Sequence, residues 1–280
     1  MPFPGYYDPT ATQVAADDIA YAGLSSKLWR DVPQSVLANN PGDGLFELWR
    51  PTKWAPLTSD TAANDQATLN ILTGGQAVVP AANWTGAIGP VLDVDSEGTD
   101  NQGVEALQFT NMMVTATPGW DIIFEARVQL SDLANIPSTF VGLADAGGAV
   151  LKDDSGQTYA ATDWAGFYQL ESALTAKFAV EDGTLSETDS AVHTFVDAAT
   201  ADDGKDWVKL GFRLTGADSS GSPLGGEYYV NGVKGTQSVD FTVGPVGAIV
   251  PSFGCLASGA ADAILHVHWF AIGQVPTIGR

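Results

Sequence analysis

DWVKLGFRLTGADSSGSPLGGEYYVNGVKG, residues Asp206 to Gly235, decides how the rest of the chain is read. From Trp207 to Leu214 the side chains alternate, with Val208, Leu210, Phe212 and Leu214 on one face of an extended chain and Trp207, Lys209 and Arg213 on the other. That alternation predicts a half-buried strand. The Gly/Ser-rich run Thr215 to Gly226 has too few large side chains to pack and is expected to be a loop, after which Glu227 to Val230 is extended and aromatic. Asn231-Gly232 then predicts a tight type I′ turn, because such a turn needs positive φ at both central residues.

The same grammar extends both ways. Upstream lie short extended runs at 67–72, 77–79, 89–95 and 106–114, then Ile122 to Leu130, Thr139 to Leu143, Ala165 to Leu170 and Leu174 to Val180, with Glu181 to Thr184 a turn. Downstream lie Val239 to Val243 and a last strand, Ala263 to Gly273. Turn-forming clusters separate them and no long amphipathic helix intervenes, so the chain is expected to be all-β, an antiparallel jelly-roll sandwich over residues 61–280. Residues 1–60 differ. Rich in Pro, Tyr and Trp, they read as an irregular N-terminal arm, with a short helix expected around Asp17 to Trp29 and a first strand at Leu45 to Trp49.

Several of these residues resemble a known family. Trp207, Lys209 to Arg213 and Tyr229 to Val233, with IFEARVQLSDL (Ile123 to Leu133), FVGLADAG (Phe140 to Gly147) and DWAGFY (Asp163 to Tyr168), are similar to concanavalin-like or laminin-G-like jelly rolls of tailed-bacteriophage structural proteins. The likeness covers roughly residues 120 to 235. It implies a virion component, assembled in a host cytoplasm and placed on the capsid surface as a decoration or cement protein. The partners it implies are the major capsid protein and other copies of the chain, as a homotrimer. A carbohydrate-binding, lectin-like module of the virion that aids host adhesion is the alternative.

Charge narrows the partners. Twelve basic residues stand against 33 acidic ones, a net charge of −21, so a nucleic-acid backbone or an anionic membrane surface would repel the protein. Neither is an expected partner. Between Lys27 and Lys53 the balance is locally reversed, with Lys27, Arg30, Arg50 and Lys53 against Asp31, Asp43 and Glu47. Cys255 is alone and is expected to be a small buried hydrophobe. The start MPFPGYYDP has no basic and apolar segments of signal-peptide type, and no apolar run approaches the length that spans a bilayer.

Candidate chemistry is sparse. Asp93 and Asp95 share a strand face with Glu97 nearby, a pattern that can bind a divalent cation or serve glycoside hydrolysis. The E-x-D-x-x-E strand motif of concanavalin-like glucanases is absent, however, so a solvated strand end is expected. His266 and His268 also share a face, yet neither His193 nor Cys255 offers itself as a third zinc ligand. No phosphate loop, nucleophile elbow or Cys-His pair occurs, so neither an enzyme nor a cofactor or metal is expected. Trp164, Tyr168 and Tyr228 are the rings that a sugar would stack on.

The arm carries the remaining expectation. Phe3, Tyr6, Tyr7, Trp29, Trp49 and Trp54 are too many large rings for a solvated tail. They are expected to bury either on their own sandwich or at a protein interface, together with Lys27, Arg30, Arg50 and Lys53.

Overall fold

The computed structural model describes residues 23–30, 32, 44–52, 54–58, 63–72, 76–78, 90–96, 103–131, 138–147, 150–151, 163–170, 173–196, 207–257 and 263–277. Asn231 takes φ 50° and Gly232 φ 74°, the two left-handed positions expected of the Asn-Gly turn, and the chain reverses there. Around that turn are the strands β13 (Val208–Ala217), β14 (Pro223–Val230) and β15 (Val233–Lys234). The earlier strands are β1 (Leu45–Trp49), β2 (Thr68–Leu72), β3 (Gln76–Val78), β4 (Leu92–Asp95), β5 (Gly103–Gln108), β6 (Val114–Thr115), β7 (Trp120–Ser131), β8 (Ser138–Asp145), β9 (Asp163–Gln169), β10 (Thr175–Asp182), β11 (Leu185–Glu187) and β12 (His193–Thr194). The last two are β16 (Ala248–Leu256) and β17 (Ile264–Pro276).

The strands form two antiparallel sheets, as the short alternating runs predict. The first runs β15-β14-β13-β7-β17-β4-β3, with β1 also on β17; the second runs β11-β10-β9-β8-β16-β5-β2, with β12 on β10 and β6 on β16. Rings from the two inner faces interlock, Phe178 with Phe212 at 5.5 Å and Phe253 with Phe270 at 5.4 Å between centroids. The result is a jelly-roll β-sandwich whose core is one continuous apolar cluster.

Four departures have physical reasons. The Gly/Ser-rich stretch is mostly strand, since Thr215 pairs with Gly225 and Ala217 with Pro223, leaving a turn over 218–222. Ladder hydrogen bonds come from the backbone and do not require large side chains. Residues 106–114 split into β5 and β6 around a turn at 110–112. Val239 to Val243 is no strand: Phe241–Val243 is a 3-10 turn capped by Asp240, whose side chain accepts from Thr242 N. β16 has no counterpart in the sequence expectations, although it lies at the centre of the second sheet. Buried on both faces and carrying Pro251 and Gly254, it reads as a broken apolar run and not as an alternation.

The largest departure concerns the outer faces. β13 was expected to be half-buried, yet it and its neighbour β7 are buried along nearly their whole length on both faces. Part of the cover is the chain's own leading segment. Leu28 and Trp29 pack on Ile123, Tyr229, Ala271 and Val275 of the first sheet's outer face. Gly211 makes room for them, as a Cβ there would stand 2.5 Å from Leu28 Cδ2. β1 pairs with β17 from Leu45↔Gln274 to Trp49↔Phe270, so this part of the stretch assigned to the arm is an integral strand. The helix expected around Asp17 to Trp29 is not formed over its described part, where 23–25 are irregular and 26–30 make a turn; 17–22 lie outside the described residues. On the second sheet's outer face Phe140, Trp164 and Tyr168 form a smaller core with Val150 and Leu151.

Candidate functional site

The alternation that sends Phe124, Ala126, Val128 and Leu130 inward sends Asp121, Ile123, Glu125, Arg127, Gln129 and Ser131 to the outer face of the first sheet. Register then lines up polar groups across the strands: Lys209 opposite Arg127, and Gln129 opposite His266, which is itself opposite Asp93. All of these side chains are buried. A buried charge is tolerated when it is paired and hydrogen-bonded, and each carboxylate in this layer is.

At one end of the layer Asp121 accepts from Arg213 Nε at 2.8 Å, Gly216 N at 2.9 Å and Thr277 Oγ1 at 2.6 Å. Glu227 bridges Arg30 and Lys234, each at 2.6 Å. Burial would raise the Glu227 pKa, but bonds from Lys234 and Tyr229 and the charge of Arg30 outweigh it and hold the group below its ordinary range. Tyr229 moves the other way, pushed up to about 12 by burial and by Glu227. In the middle, Glu125 accepts from Ser25 N at 2.9 Å, from the Ser25 hydroxyl and from Trp29 Nε1 at 2.8 Å. Burial pushes Glu125 up and Lys209 down, and their mutual attraction opposes both shifts.

At the other end three residues form a chain. His266 Nδ1 lies 2.7 Å from Asp93 Oδ1, and its Nε2 lies 2.8 Å from Ser131 Oγ. An ionised carboxylate only accepts, so Nδ1 carries the proton; in the neutral ring Nε2 is then left to accept from the Ser131 hydroxyl. Beside the chain, Arg127 donates to His268 Nδ1 at 2.6 Å and lies 4.9 Å from the Trp207 ring centroid. The amide of Gln129 and the indole N–H of Trp207 are buried with no hydrogen-bond partner among the described residues.

This geometry reassigns most of the sequence candidates. Asp93 is not a solvated strand end; it is buried against His266, while Asp95 accepts from Gln76 Nε2 at 3.1 Å. Glu97 lies outside the described residues. His266 and His268 do not act as a pair, because each is held by a different neighbour. Among the described residues no group of three or more His, Cys, Asp or Glu side chains is placed to hold a metal ion. His193 lies far along the chain on β12 and Cys255 is fully buried in the core. Ser131 escaped the sequence reading because nothing local marks it: it lies 135 residues from His266, and a serine ending an apolar strand carries no motif.

The expected sugar platform is not one. Trp164 and Tyr168 are in the second sheet's outer core, bonded to Glu181 and Glu187, and Tyr228 stacks on Phe178 at 5.1 Å in the main core. An aromatic platform needs an exposed face, and these three are at most 4% exposed. The rings of the leading segment likewise serve their own subunit. Trp29 bonds to Glu125, Trp49 stacks on Phe270 at 5.1 Å, and the half-buried Trp54 donates to Ala77 O at 3.0 Å. Lys27 and Arg50 are exposed; Phe3, Tyr6, Tyr7 and Lys53 lie outside the described residues. An open groove lined by Gly44, Leu45, Thr117, Trp120 and Gln274 brings no ionisable side chain to a ligand.

Sheet order and packing define an antiparallel jelly-roll β-sandwich. No protein-family model matches the chain, and no curated protein matches it in sequence. Solved structures similar in shape include a protein of unknown function from Shewanella oneidensis MR-1, at 10% identity and TM-score 0.48, covering 85% of this chain and 89% of that one. Lectin I from Ulex europaeus, solved with the methyl glycoside of alpha-L-fucose, is 9% identical at TM-score 0.48, covering 83% and 98%. A conserved carbohydrate esterase from the Shiga toxin-encoding bacteriophage phi24B is 16% identical at TM-score 0.44, covering 82% and 97%. Identities this low give no residue-by-residue correspondence.

Proposed function

We propose that this chain is a virion structural protein of the decoration type, which binds the outer surface of a capsid and stabilises the shell by burial at many symmetric sites. One observation carries the reading. Both sheets end in short strands, β15 and β11, with the 3-10 turn at Phe241–Val243 lying across β14 of one sheet and β10 and β11 of the other, and these edge strands leave Leu185, Leu224 and Val233 exposed. Short edge strands discourage uncontrolled sheet extension, while three apolar side chains on one edge favour a specific neighbour. The remaining support comes from the resemblance over residues 120 to 235 and from the charge of −21, which suits an outward-facing plate.

The neighbour is a capsid subunit or a second copy in a trimer, each contact on the order of a thousand Å². Glycan stacking on Trp164, Tyr168 or Tyr228 has no place in this proposal, since all three are buried. The test is the composition of purified virions, with native mass giving the oligomer. Stoichiometric protein on the shell, lost when Leu185, Leu224 and Val233 are all changed to Asp, upholds the reading. Shells without the protein, or attachment unaffected by the triple change, overturn it. A truncation to residue 55 is unsuitable because it deletes Ser25, Trp29 and β1, which the sandwich needs.

A further inference from the structure

Ser131, His266 and Asp93 are joined in the order that acyl-transfer hydrolases require, the carboxylate on Nδ1 at 2.7 Å and the hydroxyl on Nε2 at 2.8 Å. We propose that this trio is a hydrolytic site for small, uncharged carboxylic esters, of the acetyl ester class. The inference stands apart from any role on a shell, and either can fail without the other.

Three features make the arrangement more than a satisfied polar contact. The three residues come from separate neighbouring strands, β7, β17 and β4, whose register is set over many pairs, so the geometry is held by the sheet and not by a loop. The neutral ring has one proton to give, and the carboxylate takes it at Nδ1, leaving Nε2 as the base facing the hydroxyl. Two buried donors stand beside the trio with nothing among the described residues to donate to. Gln129 is two residues before Ser131 on the same face of β7 and directly opposite His266, and Trp207 has its ring centroid 6.5 Å from that of His266. Donors kept unsatisfied in a buried layer are destabilising for folding, and a developing oxyanion would satisfy them.

The step balances without an oxidant or a metal. Ser131 Oγ adds to the ester carbonyl carbon as its proton passes to His266 Nε2, and the carbonyl electron pair becomes an oxyanion that Gln129 and Trp207 can bond. Collapse breaks the carbon–alkoxy bond, and the leaving oxygen takes the proton from His266 to depart as an alcohol. Water then adds to the acyl-serine by the same route, releasing the carboxylic acid and restoring the hydroxyl. Asp93 is a positioning residue that holds the ring's tautomer. Substrate class follows from surroundings: Ser131 is only 6% exposed, so no more than a small acyl group could reach its hydroxyl, and a chain of net charge −21 repels anionic substrates. An alkoxide leaves more readily than an amide nitrogen, so an ester is favoured over a peptide.

The experiment uses the full chain with a fluorophosphonate probe, read by intact and peptide mass, and with p-nitrophenyl acetate as substrate. The expected result is one adduct per chain on Ser131 and turnover that saturates with substrate. Ser131→Ala should abolish the adduct and lower kcat/KM by about 10³-fold or more, with an unchanged far-UV spectrum. Asp93→Asn should lower kcat by roughly 10²-fold or more with little change in KM, a split that mere loosening of the fold would not produce. Because the wild-type chain itself is labelled, a poorly folding variant does not leave the matter open. A folded wild-type protein that takes no adduct, an adduct on another residue, or hydrolysis that survives Ser131→Ala would each overturn the proposal and leave a structural hydrogen-bonded chain.

Discussion

Trp29 donates its indole N–H to the carboxylate of Glu125 at 2.8 Å across 96 residues of chain, tying the leading segment to the outer face of the first sheet. The bond explains how a central strand can carry a glutamate on a buried face. Ser25 supplies two further donors to the same carboxylate, and Lys209 supplies charge.

Replacing Trp29 should therefore weaken the isolated subunit and not merely its association. Trp29→Ala should lower unfolding free energy by about 3–5 kcal/mol, through the cavity among Ile123, Tyr229 and Ala271 and through a carboxylate left short of a donor. Trp29→Phe keeps most of the packing and should lose about 1–3 kcal/mol. Urea midpoints at unchanged slope measure both, and a wild-type midpoint for Trp29→Ala would contradict the packing described.

Asp121 accepts from Arg213, Gly216 and Thr277 while almost fully buried. Asp121→Ala leaves the Arg213 guanidinium buried without its counter-charge and should be destabilising by about 3–5 kcal/mol. Thermal unfolding of Asp121→Ala with and without Arg213→Met tests the origin of the loss. If the orphaned charge is the cause, the double variant recovers part of the stability.

Gly142 and Gly166 face each other as direct partners on β8 and β9. A Cβ on Gly142 would lie 2.3 Å from Ala165 O and 2.6 Å from Gly166 Cα, and backbone cannot step aside as a flexible side chain can. Gly142→Ala should therefore be destabilising by at least about 3 kcal/mol or yield insoluble protein, whereas Gly147→Asn, in open space but at φ 89°, should lose only about 1 kcal/mol, from backbone strain alone. Soluble yield and denaturant midpoint of the two variants decide it.

His193 has its pKa pushed down to about 4 by burial beside Phe195. The folded state thus resists a proton that the unfolded state accepts from about pH 6.5 downward. Stability conferred by the neutral ring is present above that pH and is lost as pH falls toward 4, with no further loss from this group below. Since the ring is partly exposed, the loss should be on the order of 2 kcal/mol. His193→Gln should flatten the stability profile between pH 6.5 and 4 by that amount relative to wild type, measured by denaturant unfolding at a series of pH values.

Much of the fold is legible in the residues themselves. The alternation from Val208 to Leu214, the Asn231-Gly232 turn and the run Ile122 to Leu130 each specify strand or turn through local sterics and periodicity, and the sandwich follows because those apolar faces must be buried. β16 was illegible because Pro251 and Gly254 interrupt its apolar run and its two faces do not alternate between polar and apolar.

The candidate site was not legible at all as a unit. Sequence placed Asp93 at a water-facing strand end, His266 beside His268 and Trp164 on an open platform, since period-two reasoning assigns one face of each strand to solvent. Only the tertiary arrangement decided otherwise: the leading segment and outer loops cover the faces that alternation leaves polar, and strand order β4-β17-β7 brings Asp93, His266 and Ser131 within hydrogen-bond reach. Which face of a strand meets water is a property of what packs upon it, and partners 135 and 173 residues apart in the chain leave no local trace of their meeting.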